Sequence, residues 1–276
     1  MIQIENLDFN YGRRPKLFER LSLSLNSGCI YGLLGRNGAG KTTLLKIGMG
    51  LLFPKGGNCR VLGYESRERQ PAMLADMMFV PEEFYAPDMS IRRYVDLYAP
   101  FYPAFSREQF RAYMNEMELS DGEHFNSFSL GQKKRAILAF ALAANTRVLL
   151  LDEPTNGLDI PAKAQFRRLL ASVAADNRCI VISTHQVRDV EKLIDSVVIL
   201  DNGRITLNRS IEEITGKLSF RIVSDLTGQE LYAESSIGGY QALMPNTGEE
   251  PTQIDLELLF NATMTNPQAI KDIFNV

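Results

Sequence analysis

The chain has 276 residues, enough for one large domain or for one domain with an extension. Its 45% hydrophobic and 23% charged residues are ordinary for a globular protein, and a net charge of −3 gives no global basic footprint for nucleic acid. The three cysteines, Cys29, Cys59 and Cys179, are widely spaced and read as buried reduced thiols, not as a disulfide set or metal site. No apolar run approaches the roughly 20 residues of a membrane span, so a membrane role is expected to come through a partner.

The N-terminus, Met1-Ile2-Gln3-Ile4-Glu5, alternates apolar and polar residues as a strand does and does not read as a signal peptide. Short alternating strands up to Leu25 predict a small antiparallel sheet. Cys29-Ile30-Tyr31-Gly32-Leu33-Leu34 reads as a buried strand, and the segment from Lys41 to Met49 reads as a helix. Between them lies Gly35-Arg36-Asn37-Gly38-Ala39-Gly40-Lys41-Thr42, a complete G-x-x-x-x-G-K-[ST] phosphate loop, followed by Thr43. Such glycines let successive N–H groups and a helix N-terminus point at a polyphosphate. Lys41 is placed to reach the β- and γ-phosphates, and the Thr42 hydroxyl to ligate Mg²⁺. The motif predicts binding of a nucleoside triphosphate through Gly35, Asn37, Gly38, Ala39, Gly40, Lys41, Thr42 and Thr43.

Met78-Phe79-Val80-Pro81-Glu82-Glu83 follows, and the stretch from about Ser90 to Ala144 is rich in helical patterns, broken at Ala99-Pro100 and Tyr102-Pro103. Tyr85, Tyr94, Tyr98, Phe101, Tyr102 and Phe105 form an aromatic cluster there, open to reading as a docking surface or as a small core. Asn126-Ser127-Phe128-Ser129-Leu130-Gly131-Gln132-Lys133-Lys134-Arg135 leads into a long helical pattern. Val148-Leu149-Leu150-Leu151 suits a central parallel strand buried on both faces. Asp152 then emerges at the strand end, where a doubly wound sheet places ligands and a carboxylate can hold a Mg²⁺ shell. Beside it, Glu153 can polarise an attacking water. Pro154-Thr155-Asn156-Gly157-Leu158-Asp159 comes next, and a further apolar strand, Cys179 to Ser183, ends in Thr184-His185.

The order of phosphate loop, S-x-G-Q, hhhhDE, G-L-D and strand-T-H resembles the nucleotide-binding subunit of ATP-binding-cassette (ABC) transporters over Met1 to about Asn208. The resemblance implies an α/β P-loop NTPase (RecA-like) core with an antiparallel β-subdomain and a helical subdomain at about 85–145. It implies ATP with Mg²⁺, and a dimer, homodimer or paired ABC subunit, around two nucleotides. It also implies an integral membrane permease as partner, no nucleic acid, and a cytoplasmic chain peripheral on the inner face of the membrane. Tyr11 matches the aromatic position that stacks on adenine, although a tyrosine there can equally pack on its own sheet. Ser129, Gly131 and Gln132 match the signature motif that contacts the opposite subunit's nucleotide; Ser129 is also a natural helix cap. Asp159 matches the position linking two sites across a dimer. His185 matches the switch histidine at the γ-phosphate, joining Glu153 and Lys41 as the catalytic set. His124 reads as structural.

Two positions depart from the family pattern. Leu130 stands where the signature has its first glycine, which stiffens that loop. Glu82 stands at the glutamine of the Q-loop, and a carboxylate there only accepts hydrogen bonds and adds charge near Mg²⁺. Two readings are open for it: a metal ligand with Thr42 and Asp152, or a coupling hinge. After Asn208 the pattern changes, and residues 209–276 read as an extension of three short strands (Lys217–Val223, Glu230–Ser235 and Gly239–Met244) followed by a helix capped by Asp255. Such tails occur in exporter-type (ABC-2) members, and the wording from Ser90 to Phe110 resembles that bacterial subgroup. Rival readings are a soluble ABC ATPase and a regulatory ATP-binding module of low turnover. The transported substrate is not written in this chain.

Overall fold

The computed structural model describes residues 1–248 and 251–274. In chain order, β1 (Ile2–Phe9), β2 (Phe18–Leu25) and β3 (Cys29–Leu34) lead into α1 (Lys41–Gly48). β4 (Gly56–Val61), β5 (Tyr64–Glu65), the short α2 (Pro71–Leu74) and β6 (Met77–Val80) follow. The helical stretch holds α3 (Ile91–Tyr98), α4 (Arg107–Glu116) and α5 (Leu130–Ala143). Strand and helix then alternate through β7 (Val148–Asp152), α6 (Ile160–Ser172), β8 (Cys179–Thr184), β9 (Ser196–Asp201) and β10 (Arg204–Ser210). The remainder is α7 (Ile211–Lys217), β11 (Leu218–Val223), β12 (Tyr232–Ser236), β13 (Gly239–Pro245), α8 (Leu256–Thr265) and α9 (Pro267–Phe274).

The period-two alternation of the N-terminal strands yields a four-stranded antiparallel sheet in the order β2-β1-β4-β5. The apolar runs of β3, β7 and β8 instead form the middle of a six-stranded sheet, β10-β9-β3-β8-β7-β6. It is parallel except for β10, which pairs antiparallel with β9 at one edge. Every residue of β7 and β8 is buried, as a strand covered on both faces must be.

Side-chain alternation across this sheet divides the interior in two. Val148 and Leu150 of β7 and Cys179 and Val181 of β8 face the layer of α1 and the four-stranded sheet. Leu149, Leu151, Ile180 and Ile182 face the layer built on α5 and α6. The aromatic cluster of the helical stretch is itself divided. Tyr94, Tyr102 and Phe105 pack around Phe140 of α5, with ring centroids 4.9–6.0 Å from it. Tyr85 and Phe101 remain 85% and 67% exposed and are left on the surface. Cys59 and Cys179 are buried free thiols, whereas Cys29 is only half-buried because β3 begins there.

β10 continues past Asn208 to Ser210, whose side chain caps α7 through a capping box with Glu213. The three-stranded antiparallel sheet β11-β13-β12 follows. Asp255 caps α8 by accepting a hydrogen bond from Leu258 N–H at 2.9 Å. Ile214, Leu218, Leu243, Leu256, Leu259 and Phe274 belong to the same continuous apolar core as α5 and α6. Arg188, just after the switch position, pairs with Glu257 of α8 at 2.7 Å.

Candidate active site

Strand register assembles the site. Leu34 of β3 lies beside Thr184 of β8, and Ser183 lies beside Asp152 of β7. The phosphate loop, the two carboxylates and His185 therefore all leave the sheet at the same end of adjacent strands. The loop needs glycine at two points. A Cβ on Gly35 would come within 2.6 Å of Leu200 O, and one on Gly40, at φ +106°, within 2.7 Å of the Phe18 ring. Gly40 immediately precedes α1, whose first N–H groups are thereby directed into the loop.

Lys41 is buried, and its ammonium donates to Gly35 O at 2.7 Å and Arg36 O at 3.4 Å. Burial pushes its pKa down, opposed by the charges of Glu153 and then Asp152. Thr42 Oγ1 donates to Asp152 Oδ2 at 2.7 Å, and Ser183 Oγ donates to the other oxygen, Oδ1. Glu153 follows with its backbone in the left-handed region at φ +46°. Its N–H donates to Ser183 O at 3.0 Å, and its Oε1 lies 2.8 Å from His185 Nδ1 and 3.7 Å from Lys41 Nζ. Glu153 Oε2 is buried with no hydrogen-bond partner. This unpartnered carboxylate oxygen, shut off from solvent in this arrangement, lies beside the phosphate loop, and a carboxylate there can take a proton from water.

Lys41, Thr42 and Glu153 border a cleft of about 630 Å³ that is also lined by Tyr11, Lys16, Arg36, Thr43 and Glu82, among others. Both readings of Tyr11 find support. Its ring packs edge-on against Phe9 at 4.9 Å and its hydroxyl lies 2.9 Å from Thr43 Oγ1, yet it is 42% exposed on the cleft wall. Glu82 reaches the cleft, but its Oε1 accepts a 2.7 Å bond from Asn156 Nδ2, and Asn156 Oδ1 in turn accepts from Gln186 Nε2 at 3.0 Å. One side-chain chain thus links the Q-loop position, the G-L-D loop and the segment after His185. Among the described residues no three His, Cys, Asp or Glu side chains converge as a metal-holding group. Thr42 and Asp152 do offer adjacent hard oxygens, the donor set that suits a Mg²⁺ otherwise held by phosphate and water.

The signature residues lie apart from this cleft. Ser129 Oγ accepts from Gln132 N–H and Gln132 Oε1 accepts from Ser129 N–H, a capping box that starts α5. Ser129 and Leu130 are exposed, and Gly131 sits close enough to the G-L-D loop that a Cβ on it would lie 3.2 Å from Gly157 O. Asp159 is exposed and caps α6 through Ala162 N–H at 2.9 Å.

The ABC transporter family matches residues 18–156. YdbJ of Bacillus subtilis, an ABC transporter ATP-binding protein, is 30% identical over 251 residues, covering 86% of this chain and 81% of that protein. The chain belongs to the ABC transporter family. It is an ATP-binding ATPase of that family. The bacitracin transport ATP-binding protein BcrA of Bacillus licheniformis is 33% identical over 214 residues, or 74% of this chain and 68% of BcrA. The fold matches an ATP-binding subunit of an ABC transporter with a TM-score of 0.69 at 24% identity, over 77% of this chain and 90% of that one. It also matches a dimeric ATP-binding cassette in a post-hydrolysis state with ADP and Pi, with a TM-score of 0.66 at 23% identity, over 76% of this chain and 99% of that one. No helix among the described residues of this ABC ATPase is long and apolar enough to cross a membrane.

Sequence reasoning missed four members of the site. Ser183 registers in the sequence only as the last residue of an apolar strand, although its hydroxyl binds the Asp152 carboxylate and the Glu153 backbone N–H. Asn156 and Gln186 carry no motif signal and acquire a role only through Glu82. Lys134, second in a basic triplet, gives no hint in the sequence that it is buried.

Proposed function

We propose that this ABC ATPase pairs with a second ATP-binding chain around two Mg-ATP and drives a separate membrane permease of exporter type. The observation that carries the pairing is the division of the machinery. Lys41, Thr42, Asp152, Glu153 and His185 converge at one end of the sheet, while the exposed Ser129 and half-buried Gly131 stand outside the cleft. Head-to-tail pairing brings a partner's Ser129 hydroxyl and Gly131 N–H to each γ-phosphate. The similarity to a bacitracin transport ATP-binding protein supports the exporter reading.

In each site Lys41 exchanges its loop carbonyls for phosphate oxygens, and the N–H groups of the loop bind the remaining charge. Thr42 and Asp152 would hold the Mg²⁺, which neutralises charge on the phosphates. Glu153 accepts the proton of the attacking water at its open Oε2, while His185 fixes the other oxygen. Glu82 serves as the coupling hinge, a role that its bond to Asn156 supports over direct metal ligation.

Pairing is tested by light scattering of the purified chain with and without ATP. The mass should double with ATP, and Gly131→Asp should abolish the doubling while leaving monomer affinity intact. A chain that hydrolyses ATP at full rate while monomeric overturns the composite site. Tyr11→Ala should weaken ATP and ADP alike by about 0.5–1.5 kcal/mol through lost stacking. Equal nucleotide affinities in titrations of mutant and parent would leave Tyr11 as a strut between Phe9 and Thr43.

A further inference from the structure

We propose that Lys134 is a positioning residue for hydrolysis, clamping from the signature helix the backbone that aims Glu153, with Glu82 as its counter-charge. This rests on Glu153 being the base. Lys134 is 4% exposed and forms no ion pair among the described residues. Its ammonium donates to Glu153 O at 2.7 Å and to Asn156 O at 2.9 Å. An apolar side chain of the same length would fill that space without desolvating a charge. What the ammonium adds is the two carbonyl bonds.

Those bonds fall where the backbone most needs them. Glu153 is a non-glycine residue at φ +46°, a conformation that persists only when its surroundings over-determine it. Its N–H is gripped by Ser183 O and its C=O by Lys134, so both ends of the residue are fixed and the side chain is directed at His185. The turn beyond is closed by Asn156 N–H donating to Glu153 O at 3.2 Å. Lys134 therefore bridges both ends of the turn that carries Glu153 out of β7.

The charge has its own support. Burial lowers the pKa of Lys134, and the carboxylate opposing this most strongly is Glu82, ahead of Glu153 and Asp152. Glu82 reaches the same turn through Asn156, whose side-chain amide it binds and whose carbonyl Lys134 binds. The carboxylate at the Q-loop position thus balances a buried ammonium one residue away. Since α5 begins at Ser129, a displacement of its exposed end is transmitted to the Glu153 backbone through a single side chain.

The test compares full-length Lys134→Met, Lys134→Gln and Glu153→Gln for kcat, KM and equilibrium affinity for a fluorescent ATP analogue. Lys134→Met should lower kcat by about 10- to 100-fold, the scale of a misplaced catalytic group, with analogue affinity within about twofold of the parent. Lys134→Gln retains two N–H donors and should recover most of kcat. Adding Glu82→Gln to Lys134→Met should cost less than Glu82→Gln costs alone, because the charge it balances is gone. Parental turnover in Lys134→Met overturns the clamp. So does a Gln variant no better than Met in which affinity and thermal stability fall with kcat, since that is loss of packing only. Full activity in Glu153→Gln would instead remove the base assignment beneath the inference, and inactive Glu153→Gln beside active Lys134→Met removes the clamp alone.

Discussion

Replacing Glu153 with glutamine is expected to lower ATP hydrolysis by on the order of 10²–10⁴ while ATP binding survives. The exchange preserves shape and removes the proton acceptor. Glu153 Oε2 is the buried oxygen without a partner, and Oε1 is already engaged by His185. The neighbouring carboxylate, Asp152, has both oxygens engaged by hydroxyls, of Thr42 and Ser183. The amide also relieves repulsion between the carboxylate and the phosphates, so the proposed ATP-bound pair should persist longer. Phosphate release in a single turnover, set against nucleotide affinity, measures both effects. Parental turnover would remove Glu153 from the chemistry.

Lys41→Ala should act earlier, on the triphosphate itself. The ammonium rests on Gly35 O and Arg36 O, with Glu153 at 3.7 Å, in a position already stripped of water. Its depressed pKa reports that desolvation, which an incoming polyphosphate offsets with far stronger acceptors. Losing a hydrogen bond to a charged group costs about 1.5–3 kcal/mol, so ATP affinity should fall by roughly 10- to 100-fold, and turnover with it. Affinity for adenosine should be unchanged, the opposite of the Tyr11→Ala pattern. Calorimetric titration with ATP, ADP and adenosine distinguishes the two, and equal ATP affinities in Lys41→Ala and parent would contradict a phosphate role.

The nucleotide machinery was legible in the sequence because each part is local. A phosphate loop is eight consecutive residues, from Gly35 to Thr42, and the Asp152-Glu153 pair ends an apolar run. Alternating strands and helices imply a parallel sheet, and the strand order found in it brings the distant parts together through the register of β3, β7 and β8. What stayed hidden depends on long-range contact. The core reading of the aromatic cluster holds for Tyr94 and Tyr102 but not for the exposed Tyr85 and Phe101, and only contact with Phe140 separates the two groups. Glu82 is conspicuous as a departure from the family, but its partner Asn156 lies 74 residues away. Nothing in the basic triplet Lys133-Lys134-Arg135 marks its middle member as buried, because that burial is decided by the turn after β7.

The tail has a consequence for anyone dissecting this protein. Because Leu218, Leu243, Leu256 and Phe274 belong to the same apolar core as α5 and α6, a version cut back to the minimal cassette would keep its motifs and lose part of that core. Its failure would show as insolubility, and a regulatory role of the tail could not be separated from that. The point of leverage is smaller. Arg188 and Glu257 join α8 to the segment that follows the switch histidine, and both side chains lie at the surface, where a surface ion pair contributes little to stability. Neutralising that pair should loosen the hold of the tail on this segment, which Leu256 N–H still contacts through Glu191, without dismantling the molecule.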